Sequence, residues 1–452
     1  MVILNSISRR SAHVARTVTL RSLSVLTPSE AGRRAAAMMA ERQAKDPSAI
    51  ATILSHSGMD AKGDNIPMAP PLHVATTYTR PADGIYRDGD SVYARMDNPT
   101  RLQLEKAIFE LECINLAGRE DKAITSYAFS SGLAGVTSIL LAHSSPLTVL
   151  LPDDLYHGVS SLLSNVFSKH RVNARHVNMR DVSEIVKAIQ SVNSNDDVIV
   201  WMESPSNPKC HVLDIQSICQ AVEPLRSSYT ITTVVDGTMA SPILTRPLEL
   251  GADVSFHSGT KYLAGHSDAL LGLVTLSPVT SRGHELVSAM NDAQILGGAV
   301  ASPFDSWLTL RGMRTLHVRV ERQCKTTQQL VEYLEKQKEQ MKIIHLYYPG
   351  LISHQQHDVA KRQMQGGFGG VFSMEFDDEA TAMAFAAALQ TVHRATSLGG
   401  PETLIEHRAS IEPPERRTSP PGLLRVSIGL EDINDLIRDF EMAAGIAQEI
   451  VK

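Results

Sequence analysis

Residues 230–272 read TITTVVDGTMASPILTRPLELGADVSFHSGTKYLAGHSDALLG. Two short runs rich in β-branched and apolar residues, TITTVVDG and DVSFHSG, each end in polar groups, and a helical stretch separates them. LTVLLPDD (147–154) and DVIVWMES (197–204) repeat that pattern upstream. Short apolar runs alternating with helices predict a mostly parallel sheet covered by helices. In such sheets ligands bind beyond the carboxyl ends of the strands. Here those ends carry Asp153, Glu203, Asp236 and His257–Ser258.

Working outward, NPTRLQLEKAIFELE (98–112) predicts a helix with Asn98 as N-cap and Pro99 in the first turn. Leu104, Ile108 and Leu111 share one face of it. SYAFSSGLAGVTSILLAH (126–143) predicts a strand, a small-residue turn and a second helix. Beyond about residue 310 the texture changes. VFSMEF (371–376) alternates as a half-buried strand, DDEATAMAFAAALQ (377–390) predicts a helix, and LLRVSIGLE (423–431) another strand. The last helix gathers Ile433, Leu436, Ile437 and Phe440. The fold class is therefore α/β, a large domain with a mostly parallel sheet plus a smaller α+β C-terminal domain. The Pro-rich stretch Glu412–Gly422 predicts a surface loop.

The chain has 452 residues, enough for two or three domains. A net charge of −6 offers no excess positive field for nucleic acid. No apolar run is long enough to span a bilayer. The four cysteines show no close pair, which disfavours a zinc ribbon or a disulfide scaffold and predicts a reducing compartment. Residues 1–29 contain no acid, four arginines and many serines. This composition predicts a mitochondrial transit peptide, with plastid and cytoplasm as the alternatives.

Lys261 follows the strand ending in His257–Ser258, in a Ser-Gly-Thr-Lys context. Alone it could be a phosphate clamp, a Schiff-base nucleophile or a surface residue. Asp236, at a strand end upstream, is an acid of the kind a pyridinium nitrogen needs. Ser131–Gly132–Leu133 opens a helix and offers backbone N–H groups to a phosphate. Lysine, acid and helix N-terminus together are what pyridoxal 5′-phosphate (PLP) requires. His257 and His266 lack metal-like spacing and are predicted to be structural. GGFGGVF (366–372) precedes a strand, so it fails as a dinucleotide loop and predicts a tight backbone approach between domains.

Eight ordered motifs extend this: VYARMDNPT (92–100), FSSGLAG (129–135), WMESPSNP (201–208), VVDGTMASP (234–242), PLELGADVSFHSGTKYLAGHSD (247–268), SPFDSWLTLRGMRTL (302–316), SLGGPETLIEH (397–407) and LLRVSIGLED (423–432). On these the chain, from about Pro67 to its end, resembles the Cys/Met-metabolism PLP enzymes: cystathionine γ-synthase, cystathionine γ- and β-lyases, methionine γ-lyase and O-acylhomoserine sulfhydrylases. The resemblance implies PLP-dependent transferase fold type I, with residues 1–45 as a targeting or disordered segment. It further implies 46–111 as an arm reaching the neighbouring active site, 112–307 as the PLP-binding domain and 308–452 as the C-terminal domain. Lys261 is implied as the lysine that carries the cofactor covalently and moves protons, and Asp236 as the partner of the ring nitrogen. Tyr156 would stack on the ring, and Ser131, Gly132, Leu133, Ser258 and Thr260 would hold the phosphate. Asn207 would approach the ring oxygen. Tyr93 and Arg95 would reach the phosphate of a neighbouring subunit, which implies a homotetramer made of two dimers. Arg425 would grip the substrate α-carboxylate, with Ser397 and Thr396 beside it.

The implied activity is γ-replacement or γ-elimination on O-acylhomoserine or cystathionine. Cystathionine β-lyase or sulfhydrylase activity is the alternative. Two other classes stay open at this point: a weakly active PLP-binding regulatory or assembly protein, and a nucleotide-binding oxidoreductase, which leaves Lys261 unexplained. The chain also departs from the family. Gly237 replaces the usual Asn, predicting loss of a hydrogen bond that supports Asp236. Leu133 replaces a common Met. Thr396 stands where many members carry Glu or Tyr. The segment EHRASIEPPERRTSPPG (406–422) is unusual, and His407, Arg408, Arg416 or Arg417 is predicted to meet an acidic substrate tail.

Overall fold

The computed structural model describes residues 49–59, 67–87, 89–116, 123–144, 146–412, 417 and 419–451. The predicted segment 1–45, including the transit peptide, lies outside the described residues, as do Arg416 and most of the Pro-rich stretch around it.

Pro99–Glu112 is a helix, and the Asn98 side chain accepts from the N–H groups of Thr100 and Arg101, the predicted cap. Such a cap contributes about 1 kcal/mol. Leu104, Ile108 and Leu111 are fully buried on one face. That face packs beneath the first strand and against the helix Pro303–Met313.

The first sheet has seven strands: β1 (Ser126–Phe129), β2 (Leu147–Leu151), β3 (Val172–His176), β4 (Asp197–Glu203), β5 (Ile231–Asp236), β6 (Val254–Ser258) and β7 (Gly272–Leu276). Their order is β1-β7-β6-β5-β4-β2-β3. Strands β2 to β6 pair in parallel, and β7 runs antiparallel to both β6 and β1. All four strand runs singled out from the sequence fall in this sheet. The partly exposed edge strand β3 (VNARH) carries no such apolar signature. Because β4, β5 and β6 are in parallel register, Glu203 lies beside Asp236 and Asp236 beside Phe256. The chemistry-bearing residues are thus collected at one end of the sheet by the backbone ladder alone.

A five-stranded sheet follows, in the order β10-β11-β12-β9-β8: β8 (Ile343–Tyr347), β9 (Val371–Phe376), β10 (His393–Arg394), β11 (Leu404–His407) and β12 (Leu423–Ser427). The helices Glu379–Ala388 and Ile433–Ile450 pack on one of its faces through Phe385, Leu436 and Phe440. VFSMEF is not the half-buried strand its alternation predicts. Every residue except Glu375 is buried, because the second face docks on loop 204–210, where Ser373 Oγ donates to Pro208 O at 2.7 Å. The Pro-rich stretch also differs from a surface loop at its described ends. Glu412 and Ser419 are both buried, since the Glu412 carboxylate accepts from the N–H and the hydroxyl of Ser419. GGFGG makes the predicted close approach: a Cβ on Gly370 would lie 2.7 Å from the hydroxyl of Tyr262, beside Lys261. All four cysteines are buried and none is in a disulfide.

Candidate active site

Between the carboxyl ends of β4–β6 and the rim of the second sheet lies a cavity of about 410 Å³. Its lining includes Ser131, Gly132, Leu133, Tyr156, Asn207, Asp236, Ser258, Thr260, Lys261, Thr396, Ser397 and Arg425. The structure therefore brings together every predicted site residue except Tyr93 and Arg95. Those two lie on the surface away from their own chain's cavity. The Arg95 guanidinium stands 5.7 Å from the Tyr93 ring centre and donates to Ile295 O at 2.8 Å.

One end of the cavity is built by the helix Gly132–Leu141. Ser131 caps it by accepting from Ala134 N–H, and Gly135 N–H donates to Ser131 O. The first N–H groups of a helix have no partner within it, so those of Gly132 and Leu133 remain for a ligand anion. Strand β7 passes directly beneath: a Cβ on Gly272 would come within 2.4 Å of Ser131 O, so only glycine permits this approach. Ser258 N–H donates to Thr238 Oγ1 at 2.8 Å, which orients the Ser258 residue at the cavity wall. The Thr260 hydroxyl, also at the cavity wall, donates to Leu271 O and accepts from Leu271 N–H.

Asp236 is buried, and its Oδ1 accepts from Thr238 N–H at 2.9 Å. Burial pushes its pKa up, while the hydrogen bond to Thr238 and the nearby His257 oppose this. A cation placed against this carboxylate is the partner its environment lacks. The expected cost of Gly237 is corrected by the structure. Support for Asp236 comes from Thr238, and the space an Asn side chain would need is filled by His257, whose Cε1 lies 2.9 Å from the position of a Cβ on Gly237. His257 in turn pairs with the buried Glu112 at 2.5 Å. His266 Nδ1 bonds Ala264 O, the structural role expected of it.

Lys261 Nζ donates to Ser397 Oγ at 2.8 Å. Burial, then the positive Arg425, bring the Lys261 pKa down to about 8, against the pull of Glu406. Ser397 is held at φ +91°, an unfavourable backbone state for a residue with a Cβ. Its carbonyl accepts from Arg425 Nη2 at 2.8 Å. Arg425 Nη1 also donates to Asn207 Oδ1 at 3.2 Å, and Arg425 pairs with Glu406 at 2.5 Å. Glu406 and Arg425 face each other across the antiparallel pair β11–β12.

Sequence reasoning missed two positioning acids. Glu203 accepts from the N–H groups of Tyr156 and Asn207, at 2.8 and 2.9 Å, and so places both residues. Burial, then Asp236, hold its pKa well up. Its place beside Asp236 at a strand end was the available signal. Glu406 offered none, because only strand pairing brings it to Arg425. Of the described residues expected to meet an acidic tail, Arg408 alone lines the cavity. His407 is occupied by Ser410 and Pro421, Arg417 is exposed, and Arg416 lies outside the described residues.

The donor set suits PLP. A helix N-terminus and Ser258 match a phosphate, a buried carboxylate matches a protonated ring nitrogen, and a lysine of lowered pKa matches an aldehyde. Comparison with known proteins agrees. Residues 51–444 match the family model described as Cys/Met metabolism PLP-dependent enzyme. A cystathionine β-lyase of Lactococcus lactis is 36% identical over 402 residues, covering 87% of this chain and 98% of the relative. A cystathionine γ-synthase of Mycobacterium bovis is 36% identical over 381 residues, covering 83% and 91%. The crystal structure of cystathionine γ-synthase from Xanthomonas oryzae pv. oryzae, in complex with aminoacrylate and cysteine, is similar at a TM-score of 0.79. It is 32% identical and covers 89% of this chain and all of that one.

Proposed function

The chain belongs to the Cys/Met metabolism PLP-dependent enzymes, and from that premise we propose γ-replacement or γ-elimination on O-acylhomoserine or cystathionine as its reaction. The observation that carries this reading is the bridge Lys261–Ser397–Arg425 across one cavity, which sets a proton carrier beside a carboxylate grip. PLP, when bound, supplies the electron sink that stabilises negative charge at the substrate Cα. Gly132, Leu133 and Ser258 would hold its phosphate, Asp236 its ring nitrogen and Tyr156 its ring face. Lys261, neutral above about pH 8, takes and returns protons at the substrate carbons. The Arg425 fork binds the α-carboxylate, with Asn207 and the Ser397 carbonyl fixing its plane. A panel of cystathionine, cysteine, methionine and O-acetyl-, O-succinyl- and O-phosphohomoserine, each with and without cysteine or sulfide, tests this. A four-carbon keto acid, or a thioether, built from the homoserine skeleton is expected. Turnover confined to β-elimination of cystathionine would favour the reading named by the Lactococcus relative.

We further propose a homotetramer of two dimers, with Tyr93 and Arg95 completing the neighbour's phosphate site. Its support is a run of exposed apolar side chains on the arm, among them Met68, Val74, Ile85 and Met96. Mixing inactive Arg95→Ala and Lys261→Ala proteins then restores activity, since hybrid dimers carry one intact site. Residues 1–29 are proposed to direct mitochondrial import. Fused to a fluorescent protein, they should carry it into mitochondria, and a diffuse signal would refute this.

A further inference from the structure

Arg408 is a buried guanidinium held only by long ion pairs, with no hydrogen bond to any described residue. It opens the short helix Arg408–Ile411 after β11, is 98% buried on a relative exposure of 2%, and lines the cavity. Among the described residues none accepts a hydrogen bond from it, and its Nε is buried without a partner. Its two charged neighbours stand beyond hydrogen-bond reach, Glu406 at 3.5 Å and Glu412 at 3.7 Å. Both acids are already engaged, Glu406 by Arg425 and Glu412 by Ser419. A buried guanidinium whose donors go unmet is costly unless something supplies acceptors. The side chain also faces the chemistry, since it shares the cavity wall with Tyr156 and His157.

Arg408 and Arg425 approach the same Glu406 oxygen, at 3.5 and 2.5 Å. Two guanidinium groups are therefore neighbours at one end of the cavity. One is assigned to the α-carboxylate by the proposed function, on which this inference rests. We propose that Arg408 is a specificity-determining residue that binds a second anionic group, a carboxylate or a phosphate, on the side chain of the amino-acid substrate. A planar fork meets either anion with two parallel hydrogen bonds. The closeness of the two arginines favours an anion a few bonds from Cα over one at the end of a long tail.

The test is a ratio and does not depend on turnover. In calorimetric titrations of the holoenzyme, glutarate, which carries two carboxylates, should bind at least about tenfold more tightly than butyrate, which carries one. Arg408→Ala and the length-preserving Arg408→Gln should collapse that ratio towards one. Arg408→Lys should keep part of it, and Arg417→Ala, outside the cavity, should keep all of it. In steady-state assays the same variants should lose the preference in kcat/KM for O-phospho- over O-acetylhomoserine, and O-succinylhomoserine distinguishes a carboxylate from a phosphate tail. A purely structural Arg408 would weaken all ligands equally and leave the ratio intact, which would overturn the inference. Failure of the wild-type enzyme to turn over any member of the panel would instead count against the proposed function, while the glutarate ratio still decides the role of Arg408.

Discussion

The cavity has two halves of different construction. Its floor comes from chain 203–261, where Glu203, Asp236, Ser258 and Lys261 sit at or just past the ends of β4, β5 and β6. Its rim comes from chain 396–425, where a residue of positive φ, two arginines and an acid hold one another through ion pairs. A parallel ladder positions the floor, so each residue there is placed by many backbone hydrogen bonds. At the rim an antiparallel ladder sets Glu406 opposite Arg425, and ion pairs between side chains add Arg408 to them. The difference puts the proposed proton chemistry on a parallel ladder and the proposed substrate choice on a cluster of charges.

The sharpest way to break this division is Lys261→Ala, which removes the floor's proton carrier. Turnover should fall by at least about 10³-fold, and borohydride followed by peptide mapping should find no cofactor attached. If the label stays with the chain, the floor is misassigned. Arg425→Ala strikes the rim instead. It removes the proposed carboxylate grip and leaves Glu406 buried beside a single, more distant arginine. Catalytic efficiency should drop about 100-fold or more, and the unfolding free energy should fall by up to about 3–5 kcal/mol. A loss in kcat with KM unchanged would place Arg425 outside substrate binding.

The floor also predicts a pH signature. Attachment of PLP requires the neutral Lys261 amine, whose pKa is lowered from 10.5 to about 8. Cofactor uptake by the apo-protein should rise about tenfold per pH unit below 8 and level off above it, whereas an ordinary lysine would keep the rate rising towards 10.5. The stability term has a definite sign. Between about pH 8 and 10.5 the unfolded chain holds a proton that the folded one has released, so this group's contribution to apo-protein stability increases with pH across that window. The smallest effect concerns the family departure at 237. Gly237→Asn should fail to raise activity and should cost about 1–3 kcal/mol in thermal unfolding, because its Cβ meets His257 at 2.9 Å. A gain in activity would show that Thr238 is an incomplete support for Asp236.

Much of this molecule is legible in its sequence, for a reason visible at particular residues. Local patterns mark strands and caps, as at VVDG, FHSG and Asn98, and in a parallel sheet a strand's end is also a ligand site. Asp236, Lys261 and the 132–133 helix start could therefore be found without coordinates. Misreadings came where distant chain segments meet. VFSMEF lost its expected solvent face to loop 204–210, and the ends of the Pro-rich stretch were drawn inward by Glu412 and Ser419. Residue order alone determined the fold class, through periodicity, and its ordered motifs marked Lys261 and Asp236 through the resemblance to a family. Only the tertiary structure decided that Glu203 places Tyr156 and Asn207, that His257 fills the space beside Gly237, and that Arg408 and Arg425 share Glu406. Each of those depends on which side chains compete for the same volume and the same charge, and that competition exists only once the chain is folded.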